Sequence, residues 1–314
     1  MLSSALPTAA FKAYDIRGLV PEQLNANFAY RLGQAIAWQA KEAGVEHIVV
    51  GYDGRHSSPD LAHGLHAGIN SVGIDSIDLG LVPTPLVYYA ANILNTGTGV
   101  SITGSHNPPD YNGFKIMIAG KTLYGQDIQA LRERMEAGVV TSTQEGQRVS
   151  QNLVPRYIEE ITRTVKLARP MKIAIDCGNG AGGVVARQLF EALGCQVDML
   201  YEDVDGDFPN HHPDPAVPEN LHELIQHVQA HDCELGLAFD GDADRLGVVT
   251  RSGHIIWPDR QLALFAQDVL QRVPGASIIY DVKCSRHVGL AITSAGGHPL
   301  MWQTGHSLIK AKLA

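Results

Sequence analysis

The chain has 314 residues, 45% of them hydrophobic and 18% charged, enough for two or three units that each bury a core. A net charge of −9 argues against the basic surface that nucleic-acid binding needs, but leaves room for an anionic small molecule in a locally basic cleft. Cys177, Cys195, Cys233 and Cys284 show no metal-ligand spacing and read as reduced thiols; no signal-peptide pattern or membrane-length apolar run is present, so the expected compartment is cytoplasmic.

In chain order, the first long pattern lies in residues 22–43. Leu24, Phe28, Leu32 and Ile36 recur at steps of four, which predicts one buried helical face, and Gly44 is a natural stop. Ile48–Tyr52 then reads as a strand ending at Asp53. The same order returns twice: strands Lys172–Ile175 and Ser277–Tyr280 run into Asp176 and Asp281. In each case a polar turn, a helix, a glycine (Gly73, Gly194, Gly296 or Gly297) and a second strand follow. Three βαβ units at similar spacing predict three related α/β units. The polar, aperiodic stretch 142–152 and the turn at Arg251-Ser-Gly-His254 separate them, giving 1–149, 150–254 and 255–314. The turns at Asp53-Gly-Arg55 and Asp176-Cys-Gly-Asn179 read as structural. His211-His212-Pro-Asp-Pro reads as a rigid loop and not as a metal site.

Two loops carry chemistry. After strand Gly99–Ile102 comes Thr103-Gly-Ser105-His106-Asn-Pro-Pro109, followed by Asn112-Gly-Phe-Lys115. Taken alone this is a surface turn, since Ser, Asn and Pro are turn formers. After strand Leu235–Phe239 comes Asp240-Gly-Asp242-Ala-Asp244-Arg245, with carboxylates at alternate positions, a pattern suited to a hard divalent cation. It is not an EF-hand: the sixth position is Arg245 where Gly is required and the twelfth is Arg251 where Glu is required. A haloacid-dehalogenase-type Asp-x-Asp loop, with Asp240 as an aspartyl-phosphate carrier, fits the local pattern.

Taken together, these two loops and the opening Phe11-Lys-Ala-Tyr14-Asp-Ile-Arg17-Gly18 resemble the α-D-phosphohexomutases, in particular the bacterial bifunctional phosphomannomutase/phosphoglucomutase branch. The likeness runs along essentially the whole chain. It implies three related α/β/α domains with mixed, mostly parallel sheets, the third incomplete and a fourth absent. It implies that Ser105 carries a phosphoryl group, with His106 and Lys115 beside it. Asp240, Asp242 and Asp244 would hold Mg²⁺, completed by an oxygen on Ser105. Tyr14, Arg17, Arg245, Lys283, Thr304, Gly305 and His306 would contact substrate. The implied reaction interconverts 1-phospho and 6-phospho hexoses (mannose or glucose) in a monomeric enzyme, with glucose 1,6-bisphosphate or a related bisphosphate as activator. Phosphoglucosamine mutase activity and a catalytically silent sugar-phosphate-binding fragment are the alternatives. Ala243 stands where many relatives have Gly.

Overall fold

The computed structural model describes residues 6–313. Among them, the first unit comprises β1 (Ile16–Leu19), α1 (Ala26–Glu42), β2 (His47–Tyr52), α2 (Ser58–Ser71), β3 (Asp75–Leu81), α3 (Thr84–Ile93), β4 (Gly99–Ile102), β5 (Tyr111–Ile118), β6 (Lys121–Thr122), α4 (Gln126–Ala137) and β7 (Arg148–Ser150). The second comprises α5 (Val154–Thr164), β8 (Lys172–Asp176), α6 (Ala186–Ala192), β9 (Gln196–Leu200), α7 (His222–Ala230), β10 (Leu235–Phe239), β11 (Leu246–Thr250) and β12 (Ile255–Ile256). The third comprises α8 (Pro258–Arg272), β13 (Ser277–Asp281), α9 (Arg286–Ser294), β14 (His298–Trp302) and α10 (His306–Leu313).

The first sheet runs β1-β5-β4-β2-β3-β7, with β6 on β5. Pairs β4·β2, β2·β3 and β3·β7 are parallel, whereas β5 is antiparallel to β1, β4 and β6. Side chains alternate across it: Ile48 and Val50 join the core under α1, α2 and α4, while Val49 joins a separate core under α3 and α5. Helices on both faces are what a largely parallel sheet needs to stay dry. The second sheet, β12-β11-β10-β8-β9, divides the same way, with Ala174 facing α7 and Ile173 and Ile175 facing α6. The third sheet has two parallel strands, β13 and β14.

The predicted helix over 22–43 begins at Ala26, capped by Asn25, whose side chain accepts from Phe28 N at 3.0 Å; Leu24 precedes it and is still buried. One expectation changes. The stretch 142–152 was expected to be a boundary without regular structure, but its Arg148–Ser150 pairs with β3 as an edge strand. Asp78 draws it in, accepting from Arg148 at 2.6 Å. Among the described residues no helix is long and apolar enough to cross a membrane.

Candidate active site

The Ser105 loop lies between the ends of β4 and β5. Ser105 adopts φ 49°, an uncommon left-handed conformation for a residue with a side chain. Its N–H donates to Thr103 Oγ1 at 2.7 Å. Beneath the loop, the buried Arg55 guanidinium donates to the carbonyls of Ser105 (2.9 Å), Asn107 (2.6 Å), Tyr111 (2.9 Å) and Pro108, and pairs with Asp53 at 3.2 Å. Asp53 Oδ2 also accepts from Gly104 N at 3.1 Å. From the second unit, His212 Nε2 meets the His106 carbonyl at 2.5 Å. The loop read from sequence as rigid is therefore a buttress for the serine turn.

The acidic loop follows β10 and faces this turn. A Cβ on Gly241 would lie 2.5 Å from the Ser105 carbonyl oxygen, so only glycine permits this approach of the two loops. Ala243 has φ 55°, a conformation glycine would adopt without strain. Asp240 and Asp242 are fully buried and Asp244 opens to the cleft; one ligand atom from each lies within 4.8 Å of the others. Asp240 Oδ1 accepts from the N–H groups of Asp244 and Arg245, both at 3.0 Å, and its Oδ2 accepts from Ser105 Oγ at 2.9 Å. Lys115 Nζ donates to Asp242 Oδ2 and Asp244 Oδ2, each at 2.6 Å.

These contacts separate the ionisation states. Burial, with Asp242 and Asp244 alongside, pushes Asp240 well above the ordinary carboxylate range. Burial alone would lower Lys115, but the carboxylates of Asp242 and Asp244 outweigh it and hold the ammonium charged far above neutrality. Burial, then Arg245, lowers His106 to about 4; burial, then Lys115, does the same for His306. Both imidazoles are thus neutral near pH 7. The positive charge around Ser105 comes from Lys115, Arg17 and Arg245 rather than from His106.

A cleft of about 730 Å³ collects Tyr14, Arg17, Ser105, His106, Lys115, Asp244, Arg245, Lys283, Thr304, Gly305 and His306 on one surface. Every cleft position expected from sequence is there, drawn from all three units, while Asp240 and Asp242 lie below it. Lys12, Asp15 and Asp281 also line it; none was expected from sequence as a site residue, Asp281 being read only as the end of a strand. Asp281 Oδ1 accepts from Lys283 N at 2.7 Å and Thr304 Oγ1 at 2.8 Å, fixing both turns of the third unit. Arg17 is held by Asn107 at 2.5 Å and Asp15 at 2.8 Å. Thr84 was also missed: from the start of α3 its hydroxyl donates to Asp242 Oδ2 at 2.5 Å.

Three family models match the chain in succession: phosphoglucomutase/phosphomannomutase α/β/α domain I over residues 8–140, domain II over 155–253 and domain III over 257–314. The chain belongs to the phosphoglucomutase/phosphomannomutase family. It is 54% identical over 308 residues to a phosphomannomutase/phosphoglucomutase of Pseudomonas aeruginosa, covering 98% of this chain and 66% of that protein. It is 52% identical over 304 residues to a phosphoglucomutase of Neisseria meningitidis, covering 96% of this chain and 66% of that protein. A solved family structure from Burkholderia thailandensis superposes with a TM-score of 0.94 at 48% identity, covering 98% of this chain and 69% of that one. The chain thus spans about two thirds of the length of the relatives it matches.

The three carboxylates of the acidic loop are placed so that they could hold a cation. Asp242 Oδ1 is buried without a hydrogen-bond partner among the described residues, which is costly unless a cation faces it. An all-oxygen donor set of three carboxylates favours a hard ion over a soft one. Arg17 Nε and His306 Nε2 are also buried and unpartnered among the described residues, and both belong to residues lining the cleft.

Proposed function

We propose that this chain carries the phosphotransfer site of a phosphohexomutase that interconverts 1-phospho and 6-phospho forms of mannose or glucose, with Mg²⁺ at the acidic loop. The observation that carries the reading is the placement of Ser105. Ser105 is among the residues lining the cleft, as is Lys115, whereas Asp240 is fully buried and is not, with two backbone N–H groups and the serine hydroxyl already donating to it. That arrangement favours Ser105 over Asp240 as phosphoryl carrier, and so favours a mutase over an aspartyl-phosphate phosphatase.

In the forward half-reaction, a sugar hydroxyl oxygen attacks phosphorus on phospho-Ser105. The P–Oγ bond breaks, a P–O bond to the sugar forms, and the proton lost by the hydroxyl is returned to Ser105 Oγ. The resulting bisphosphorylated sugar then gives its other phosphoryl group back to Ser105. A hexose bisphosphate such as glucose 1,6-bisphosphate would therefore charge the enzyme. Lys115, together with Arg17, Arg245 and Lys283, offsets the charge of the moving group. The Ser105 hydroxyl donates to Asp240 Oδ2 at 2.9 Å, and His106 Nδ1, 3.3 Å from the same hydroxyl oxygen, is within reach to orient it. Mg²⁺ on Asp240, Asp242 and Asp244 would supply Lewis-acid neutralisation of a phosphoryl oxygen.

Peptide mass spectrometry after incubation with Mg²⁺ and glucose 1,6-bisphosphate tests this. The expected result is one phosphoryl group on the peptide carrying Ser105, absent from Ser105→Ala. Phosphate on the Asp240 peptide alone would overturn the reading. Asp240→Asn should abolish the labelling, since a ligand and its charge are lost together; labelling that persists undiminished in EDTA would contradict the metal's role.

A further inference from the structure

We propose that Thr84 is a positioning residue for the acidic loop, whose hydroxyl decides which oxygen of Asp242 is presented to the cation. The inference rests on the reading of Asp240, Asp242 and Asp244 as a cation site.

Thr84 opens α3 in the first unit, between Pro83 and Pro85, and is fully buried. It grips Asp242 of the second unit at two points. Its N–H, one of the donors a helix start leaves unpaired, reaches the Asp242 carbonyl at 2.9 Å, and its hydroxyl reaches Oδ2 at 2.5 Å. A hydroxyl has a single proton. Asp242 Oδ2 lies 2.6 Å from the Lys115 ammonium, which can only donate, so this oxygen is an acceptor and the Thr84 proton points to it. Ser101 Oγ lies 2.7 Å from Thr84 Oγ1 and must then donate to it. A buried chain of hydrogen bonds thus runs from β4 through α3 into the acidic loop, and its direction follows from proton counting.

The result is an asymmetric carboxylate. Oδ2 accepts from both Thr84 and Lys115, whereas Oδ1 is buried with no partner among the described residues. Lys115 cannot impose this orientation alone, because it divides its charge between Asp242 and Asp244. With the Thr84 hydroxyl removed, Asp242 loses the one neutral donor dedicated to Oδ2, and its carboxylate is free to turn. Fixing it again must then be done by the cation at the expense of affinity. Partners that orient a metal ligand in this way are typically worth roughly ten- to hundredfold in metal affinity.

The test is Mn²⁺ binding to the 314-residue chain, read from the loss of the free-ion electron paramagnetic resonance signal and so independent of turnover. Thr84→Val keeps the shape and removes the hydroxyl; Thr84→Ala removes it without setting a methyl against the carboxylate, should Val not fold. Both are expected to raise the Mn²⁺ Kd roughly ten- to hundredfold. Thr84→Ser, which restores the hydroxyl, should return it to within about threefold of the unsubstituted protein. Melting temperatures in EDTA separate general destabilisation from a change in affinity. The proposal is overturned if the hydroxyl-free variants bind Mn²⁺ as tightly as the unsubstituted protein, or if Thr84→Ser binds as weakly as Thr84→Val. Equal, weak binding by the unsubstituted protein and Asp242→Asn would instead bring down the cation-site reading itself.

Discussion

A guanidinium buried as deeply as that of Arg55, 1% exposed, is tolerable only with its donors met, and besides Asp53 and the Tyr111 carbonyl at the start of β5 the acceptors that meet them belong to the Ser105 loop. A Cβ at Gly104 would stand 2.3 Å from Arg55 Cζ, so the loop lies directly against the charge. Arg55→Met would leave Asp53 buried without its cation and should cost about 3–5 kcal/mol in urea unfolding. Arg55→Lys should recover little, since a point ammonium cannot span the carbonyls that a planar fork reaches. A loss below about 1 kcal/mol for the Met variant would show that the loop holds itself. Gly241→Ala acts on the same loop from the other side, where backbone meets backbone at 2.5 Å. It should slow phosphorylation of Ser105 roughly hundredfold, as expected when reacting groups are displaced by about an ångström. Unchanged labelling kinetics would mean that the two loops tolerate separation. Ser105, Lys115 and the three aspartates could be brought forward from sequence as candidates because each sits in a contiguous motif. Thr84 could not, because it meets Asp242 across 158 positions, and Arg55 looked like turn punctuation because its partners lie 50 to 56 positions away.

The repeated strand–Asp–helix–Gly–strand order has one physical origin in all three units. Asp53, Asp176 and Asp281 each accept from the N–H two residues on, at 3.1, 2.8 and 2.7 Å, turning the chain out of β2, β8 and β13. Gly73, Gly194 and Gly296 then take φ 86°, 91° and 82°, ending the helix and aiming the chain at a strand that pairs in parallel with the first. Local chemistry of this kind can be read from spacing. The edge strand β7 cannot, because what recruits Arg148 is a carboxylate on β3 that itself faces His66. His66 is buried; its Nδ1 meets Ser76 Oγ at 2.8 Å and its Nε2 lies 3.5 Å from Asp78, at the limit of a hydrogen bond. Burial lowers its pKa from 6.5, helped by Arg148 and His63 and opposed by Asp78. The unfolded chain therefore takes up the proton first. The stability this neutral histidine allows is present above about pH 6.5 and is lost as the pH falls below it. His66→Asn, which removes the titration, should shrink the drop in urea midpoint between about pH 7.5 and 5.5 relative to the unsubstituted protein. An identical drop in both would place the titrating group elsewhere.

Across the whole molecule, charge and stability are distributed unevenly. The chain carries −9, yet its cleft gathers Lys12, Arg17, Lys115, Arg245 and Lys283 against Asp15, Asp244 and Asp281, a local field suited to an anionic ligand. The third unit supplies Lys283, Thr304 and His306 but encloses the smallest core, formed by Ala266, Leu270, Tyr280, Val288 and Ile292 around two strands. Leu264, Phe265 and Leu290 are each more than half exposed, so its helices gain little from burial, and a two-stranded sheet is marginal by itself. Among the described residues, its ties to the first unit run through Tyr14 and α10: Ser307 Oγ to the Tyr14 carbonyl at 3.3 Å, the Tyr14 ring against His306, Lys310 Nζ over the Tyr88 ring at 3.8 Å, and α10 beside β6. Opening of this unit should therefore precede global unfolding. Limited proteolysis is expected to cut first within residues 257–313, and amides of β13 and β14 to exchange faster than those of β2 or β10. The trimmed product keeps Ser105, Lys115 and the acidic loop, so it should bind Mn²⁺ as the intact chain does while losing most of its affinity for glucose 1-phosphate. First cuts in the Ser105-bearing unit, or sugar-phosphate affinity that survives trimming, would show that the third unit is neither the weak element nor the one that holds the sugar.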